Sequence, residues 1–262
     1  MEKDLALRNT FNKVARLYDK IRPDYPEALF DELTDKTELD KNSKLLEIGA
    51  GTGQATLPLA KRGYNIIVIE LGDQLTKILR KNFNNYPNVQ VLKGAFEDIE
   101  LPLESFDLVY VATAFHWIKP EVKFIKPYQI LKPSSYLAII KGDQILDEAG
   151  DHFFHASQPI YNKYWPSNLD NPYRLRRLSE VMAADLDINL FTLTYFKCFP
   201  RAIPYTADEY CQLLNTDSEK LALPDNKRQK FLNEVKELIN RKFDGTVKRH
   251  YANSLTIARK TA

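Results

Sequence analysis

Glycine is in short supply in this chain, with nine residues among 262. Bare backbone is therefore available at few places, and any cluster of glycines needs a physical reason. Cysteine is rarer. Cys198 and Cys211 match neither a zinc-ligand spacing nor a redox pair, which excludes a disulfide scaffold and a cysteine-built metal site and points to a reducing, cytoplasmic setting. No apolar run is long enough to cross a bilayer, and no cationic leader precedes an apolar stretch, so neither a membrane partner nor export is expected. An excess of one charge is missing too. With 37 basic residues against 35 acidic ones, the net charge of +2 supplies no basic field or recognition groove for a nucleic acid. Chemistry on a small molecule remains, carried by a chain long enough for one core plus a substantial insertion and expected as a monomer or homodimer.

Against that scarcity, Gly49, Gly51 and Gly53 fall together in the stretch KLLEIGAGTGQAT, Lys44 to Thr56. A short apolar run, a glycine-rich turn and a helix-compatible segment make a cradle at a helix N-terminus, where a ligand can approach the main chain. The dinucleotide fingerprint G-x-G-x-x-G would need glycine at position 54, which is Gln54, so a nicotinamide-dependent oxidoreductase is a weaker reading. With Glu47 two positions before the first glycine, the pattern resembles motif I of class I S-adenosylmethionine (SAM)-dependent methyltransferases.

The chain taken in order extends the resemblance. NIIVIE is a second apolar strand ending in Glu70, whose carboxylate can accept hydrogen bonds from both hydroxyls of a ribose. NVQVLKG is the third. It leads into Gly94-Ala95-Phe96-Glu97-Asp98, where the family usually reads G-D-A-E-D, so Ala95 replaces the expected Asp and the adenine must rest more on the Phe96 backbone and on stacking. FDLVYVATAFHWI is the fourth strand and its exit loop, in which the A-F-H-W segment resembles small-molecule methyltransferases related to trans-aconitate methyltransferase. Near the N-terminus, a helical rhythm over residues 4 to 19 gives way to YDKIRPDYP, similar to a segment that folds over the cofactor in such proteins, and a second helix starts at Pro26. Pro127 should bend or divide the helix expected over residues 120 to 131, and Ser134-Ser135 replaces the usual glycine pair before strand five, so that turn must avoid φ > 0 or carry strain.

After Lys141 the pattern changes. Residues 143 to 189 hold His152 and His155, an aromatic and proline-rich stretch around Tyr161, Tyr164 and Trp165, and the basic run Arg174, Arg176 and Arg177. Residues 205 to 241 read as helical, while residues 190 to 204 and 242 to 262 return to strand character. Two histidines three apart with no further ligand fall short of a metal site. The arginines suit a carboxylate clamp or a solvated face, and the aromatics suit a pocket wall or a small core.

The resemblance implies an α/β, Rossmann-like seven-stranded sheet with its last strand antiparallel and helices on both faces. Residues 1 to 142, 190 to 204 and 242 to 262 would form the SAM-binding core, and the insertions 143 to 189 and 205 to 241 a helical cap over the substrate. It implies SAM as cofactor, held by Tyr18, Arg22, Glu47, Gly49, Ala50, Gly51, Gly53, Glu70, Leu71, Ala95, Phe96, Thr113 and Phe115, with no metal. A carboxylate or hydroxyl oxygen of a small molecule would receive the methyl group. A hydroxyl would need a base, and His116 is the best-placed one. A SAM-binding protein without catalysis would keep all the same cofactor contacts.

Overall fold

The computed structural model describes residues 10–147, 149–166, 170 and 174–261. The first turn of the expected N-terminal helix, with Leu7, lies outside them. A 3-10 turn at Thr10–Val14 runs into α1 (Ala15–Ile21), and α2 (Glu27–Lys36) follows with Pro26 at its N-cap. Proline fits there because the first helical turn has no use for its missing N–H.

Alternating elements come next: β1 (Lys44–Ile48), α3 (Thr56–Lys61), β2 (Asn65–Glu70), α4 (Asp73–Asn82), β3 (Val89–Lys93) and β4 (Phe106–Ala112). The helix expected over residues 120 to 131 is divided into α5 (Pro120–Lys123) and α6 (Ile125–Ile130), with the break at Phe124, three residues before Pro127. β5 (Leu131–Gln144) leads to α7 (His152–Tyr164). The long edge strand β6 (Phe191–Thr206), the helices α8 (Ala207–Leu214), α9 (Ser218–Leu221) and α10 (Asp225–Lys242), and finally β7 (Thr246–Lys260) complete the chain.

The sheet has seven strands in the order β3-β2-β1-β4-β5-β7-β6. β1 to β5 are parallel, and β7 runs antiparallel to both β5 and β6. The last strand is thus antiparallel, as expected. Chain order reverses between β1 and β4, which opens a crevice at their carboxyl ends. Apolar side chains fill both faces: Leu29, Phe30, Leu59 and Leu79 pack over one, and Phe96, Phe124, Ile130 and Phe191 over the other. That is why β4 reads as a continuous apolar run. A third cluster joins Phe153 of α7, Tyr210 of α8 and Phe231, Val235 and Ile239 of α10, so the two insertions share a core at the carboxyl edge of the sheet.

Strain is what the Ser134 turn carries. Ser134 has φ +63° and its carbonyl accepts from Arg259 Nε at 2.9 Å. The left-handed region penalises a residue with a Cβ, so Ser134→Gly should raise stability by about 0.5 to 1 kcal/mol after the extra unfolded-chain entropy of glycine is counted. Urea midpoints check this, and a lower midpoint would contradict it.

Candidate active site

Four loops meet in the crevice. Gly49 and Ala50 leave β1 by donating their N–H groups to Ile69 O at 2.9 and 3.1 Å, which lays the glycine loop against the end of β2. Gly51 has φ +61°, and a Cβ on it would face the ring of Tyr18 at 3.5 Å. Its N–H donates to Glu70 Oε2 at 2.8 Å, and Gly72 N donates to Oε1 at 2.8 Å. The Glu70 carboxylate therefore braces the first two loops. It is 6% exposed. Burial pushes its pKa up, against the N–H donors of Gly72, Gly51 and Leu71. With three N–H donors on about four acceptor sites, the carboxylate keeps capacity for a further donor.

The third loop, Gly94 to Glu97, starts with Gly94 N donating to Glu70 O at 3.0 Å. Lys126 Nζ holds its far side by donating to the carbonyls of Phe96, Glu97 and Ile99 at 2.5, 3.1 and 2.6 Å. The fourth loop follows β4. Thr113 takes φ +55° and shares a 2.8 Å hydrogen bond with Tyr25 OH, while exposed His116 lies against Trp117 with ring centres 4.4 Å apart.

The N-terminal segment covers the crevice. Phe11 sets its edge against Tyr18 and Trp117, and Arg22 lies over the Tyr18 ring at 5.2 Å. Arg22 then reaches the second insertion, its Nε donating to Thr216 Oγ1 at 2.9 Å and its Nη2 to Thr216 O at 2.6 Å. The result is a cavity of about 260 Å³ walled by all four loops, by Phe11, Tyr18 and Arg22, and by Asp217 and Ser218 at the start of α9.

Of the fourteen residues singled out in the sequence, Tyr18, Arg22, Gly49, Gly51, Glu70, Leu71, Ala95, Phe96, Thr113 and His116 line this cavity. Glu47, Ala50, Gly53 and Phe115 stand behind the wall. Gly53 is needed for packing, since a Cβ there would run into the Phe83 ring. Phe115, 7% exposed, packs on Phe124. Glu47 is 1% exposed and its Oε2 accepts from Thr56 Oγ1 at 2.5 Å and Tyr110 OH at 2.8 Å. Burial, opposed by those two hydroxyls and reinforced by the charge of Glu70, pushes its pKa up to about 7. A carboxyl raised from 4.5 binds its proton more tightly in the folded state, so stability falls as pH rises from about 4.5 to 7. Glu47→Gln should flatten that fall, as read from urea midpoints across the range; an unchanged slope would contradict the assignment.

Other candidates lie elsewhere. Trp165, Tyr161 and Tyr164 pack around Phe231 in the insertion core. Arg174 pairs with Glu180 at 3.0 Å, and Arg176 and Arg177 are exposed away from the cavity. His152 and His155 are exposed on α7, and no cluster of three metal-ligating side chains occurs among the described residues. Missed in the sequence were Phe11 and Leu75, which carry only a helical rhythm, and Asp217 and Ser218, which carry no signal at all.

Comparison with known proteins gives the family and the fold. The family described as a methyltransferase domain matches residues 46–139. An uncharacterized methyltransferase of Schizosaccharomyces pombe is 30% identical over 233 residues, which cover 88% of this chain and 87% of that protein. A methyltransferase-like protein of the same yeast is 36% identical over 132 residues, and there the match spans only half of either chain. Among solved structures, phosphoethanolamine N-methyltransferase 2 of Haemonchus contortus, in complex with phosphomonomethylethanolamine and S-adenosylhomocysteine, shares the fold with a TM-score of 0.52 at 15% identity, covering 96% of this chain and 58% of that one.

Proposed function

This chain belongs to the methyltransferase family, and from that premise we propose that it transfers a methyl group from SAM to a carboxylate or hydroxyl oxygen of a small molecule. One observation carries the reading: the loops after β1, β2, β3 and β4 converge on one cavity, and the Glu70 carboxylate on its wall braces the first two of them. The donor set fits the cofactor. Glu70 keeps acceptor capacity for a ribose diol, Gly51 presents main chain without a side chain, and Leu71, Leu75, Phe96 and Ile118 give apolar walls for a purine.

Bound there, SAM would supply a methyl group activated by its positively charged sulfur. What the protein must add is alignment and dryness. Fixing two reactants in line can remove roughly 7 to 11 kcal/mol from a barrier, so few catalytic side chains are needed. Phe11, Tyr18 and Trp117 pack their rings together at the cavity wall and would shield a bound cofactor from part of the solvent. A carboxylate acceptor is already ionised and needs no base. For a hydroxyl acceptor, His116 stands at the cavity wall to take the proton. The cavity's size of about 260 Å³, with Asp217 and Ser218 of the second insertion on its wall, favours a small acceptor over a polymer.

Calorimetry with SAM and with NAD, followed by incubation with labelled SAM and a panel of small carboxylic acids and phenols, tests this. Binding of SAM and label transfer to a panel member are expected. Heat with NAD alone would sink the reading, and tight SAM binding without transfer would favour a non-catalytic protein.

A further inference from the structure

The four loops of the crevice all follow β1 to β4, but part of the cavity wall comes from the second insertion. Asp217 and Ser218 line the cavity at the start of α9, and α9 packs against the 3-10 turn that carries Phe11. Phe11 in turn sets its ring against Tyr18 and Trp117, with centres 5.8 and 5.9 Å away. A carboxylate is thus added to the wall beside a group of aromatic rings.

Charge on the lining is unbalanced. Among the described residues, Glu70, Glu97 and Asp217 are set against Arg22 as the one permanent cation. Bound SAM would bring a sulfonium, an ammonium and a carboxylate, so it offsets only part of that excess. Like charges repel strongly where water is scarce, so the filled site opposes an anionic acceptor and attracts a cationic one. Arg22 does little to reverse this. One edge of its guanidinium is spent on Thr216, with Nε donating to Oγ1 at 2.9 Å and Nη2 to the carbonyl at 2.6 Å. Such an edge is what grips a carboxylate by two parallel N–H bonds.

Asp217 follows Thr216 in the chain, and its carboxylate is only partly used. Oδ1 accepts from Glu219 N at 3.0 Å and so caps α9. Lys220 Nζ stands 3.6 Å from the same oxygen, but it is closer to Glu219 Oε2, at 3.0 Å, and lies over the rings of Tyr161 and Trp165 in the insertion core. Oδ2 accepts no hydrogen bond among the described residues, and the side chain is 39% exposed. It is open to a ligand.

We infer that Asp217 is a specificity-determining residue that recognises an ammonium group on the acceptor, which makes the substrate class hydroxylated amines. Phe11 and Trp117 add ring faces that attract the same cation. The inference rests on the methyl-transfer reading above and narrows its acceptor atom to a hydroxyl oxygen.

The test uses protein saturated with S-adenosylhomocysteine and titrated calorimetrically at about pH 8, where an ordinary histidine is neutral and alkyl amines are charged. The probes are triads of similar size carrying a cation, no charge or an anion beside the hydroxyl: tyramine, 4-propylphenol and 4-hydroxyphenylacetate; 3-aminopropanol, butanol and 3-hydroxypropanoate. The cationic member of at least one triad should bind about tenfold more tightly than the other two. Asp217→Asn keeps an oxygen to cap α9 but loses the charge, so it should erase that preference and leave the affinity for S-adenosylhomocysteine within about threefold. No cationic preference in either triad, or a preference that survives Asp217→Asn, overturns the inference. A larger loss of S-adenosylhomocysteine affinity in that variant would give Asp217 to the cofactor's own ammonium and overturn it too. Failure of S-adenosylhomocysteine to bind the unaltered protein overturns the methyl-transfer reading itself, and the inference with it.

Discussion

Glu70→Ala is expected to weaken SAM binding by about 10- to 150-fold, the equivalent of roughly 1.5 to 3 kcal/mol for hydrogen bonds to a charged acceptor. The carboxylate has two tasks. It would receive the ribose hydroxyls, and it already accepts the N–H groups of Gly51 and Gly72. Its removal leaves those donors without their acceptor, so the glycine loop loosens at the same time and some stability is lost. Glu70→Gln separates the tasks, since the amide oxygen still accepts but carries no charge. The pH dependence follows from burial, which raises the Glu70 pKa. Binding needs the ionised form, so wild-type affinity should fall as pH falls, and the fall should begin at a higher pH than for an exposed glutamate. Calorimetry across the pH range reads both effects, with the Glu70→Ala profile expected to be flatter. An affinity within threefold of wild type would remove Glu70 from the cofactor site.

Asp151→Ala should cost about 3 to 5 kcal/mol of stability, because it strands a buried guanidinium. Arg249 is 2% exposed, and its Nη1 donates to both Asp151 oxygens at 2.8 and 3.0 Å. Its Nη2 donates to Gln144 Oε1 at 3.1 Å. Asp151 also caps α7 by accepting from Phe154 N at 2.9 Å. A single ion pair therefore joins the end of β5, the start of α7 and the start of β7. The loss should come mainly from the uncompensated charge, so Asp151→Ala combined with Arg249→Met should recover much of it. Urea denaturation of both single variants and the double variant measures the coupling. A single-variant loss under about 1 kcal/mol would mean that water reaches the arginine and solvates it.

Much of the crevice was legible because its parts are local. A strand followed by a glycine-rich turn is a pattern over a dozen residues, and the acid at the end of β2 and the aromatic exit of β4 are equally short signals. The division near Pro127 and the departure at Ser134 were readable for the same reason, since proline and glycine act on their own backbone. The four residues placed behind the wall show the limit of pattern. Glu47, Ala50, Gly53 and Phe115 lie within a few residues of lining residues, and only the packing of the folded chain, such as Phe83 against Gly53, separates the two groups.

Sequence by itself determined the element order, the α/β class and the loops that form the crevice, because periodicity and turn chemistry act between neighbours in the chain; the antiparallel final strand followed from the family resemblance. Tertiary structure alone decided which distant groups complete it. Lys126 buttresses the Phe96 loop from 30 residues away, Arg22 meets Thr216 across 194, and Arg249 meets Asp151 across 98. Asp217 joins Phe11 on the cavity wall only when α9 packs against the N-terminal turn. Such contacts leave no trace in the chain because folding closes long loops at little extra entropy, so the sequence spacing of the partners is nearly free to vary.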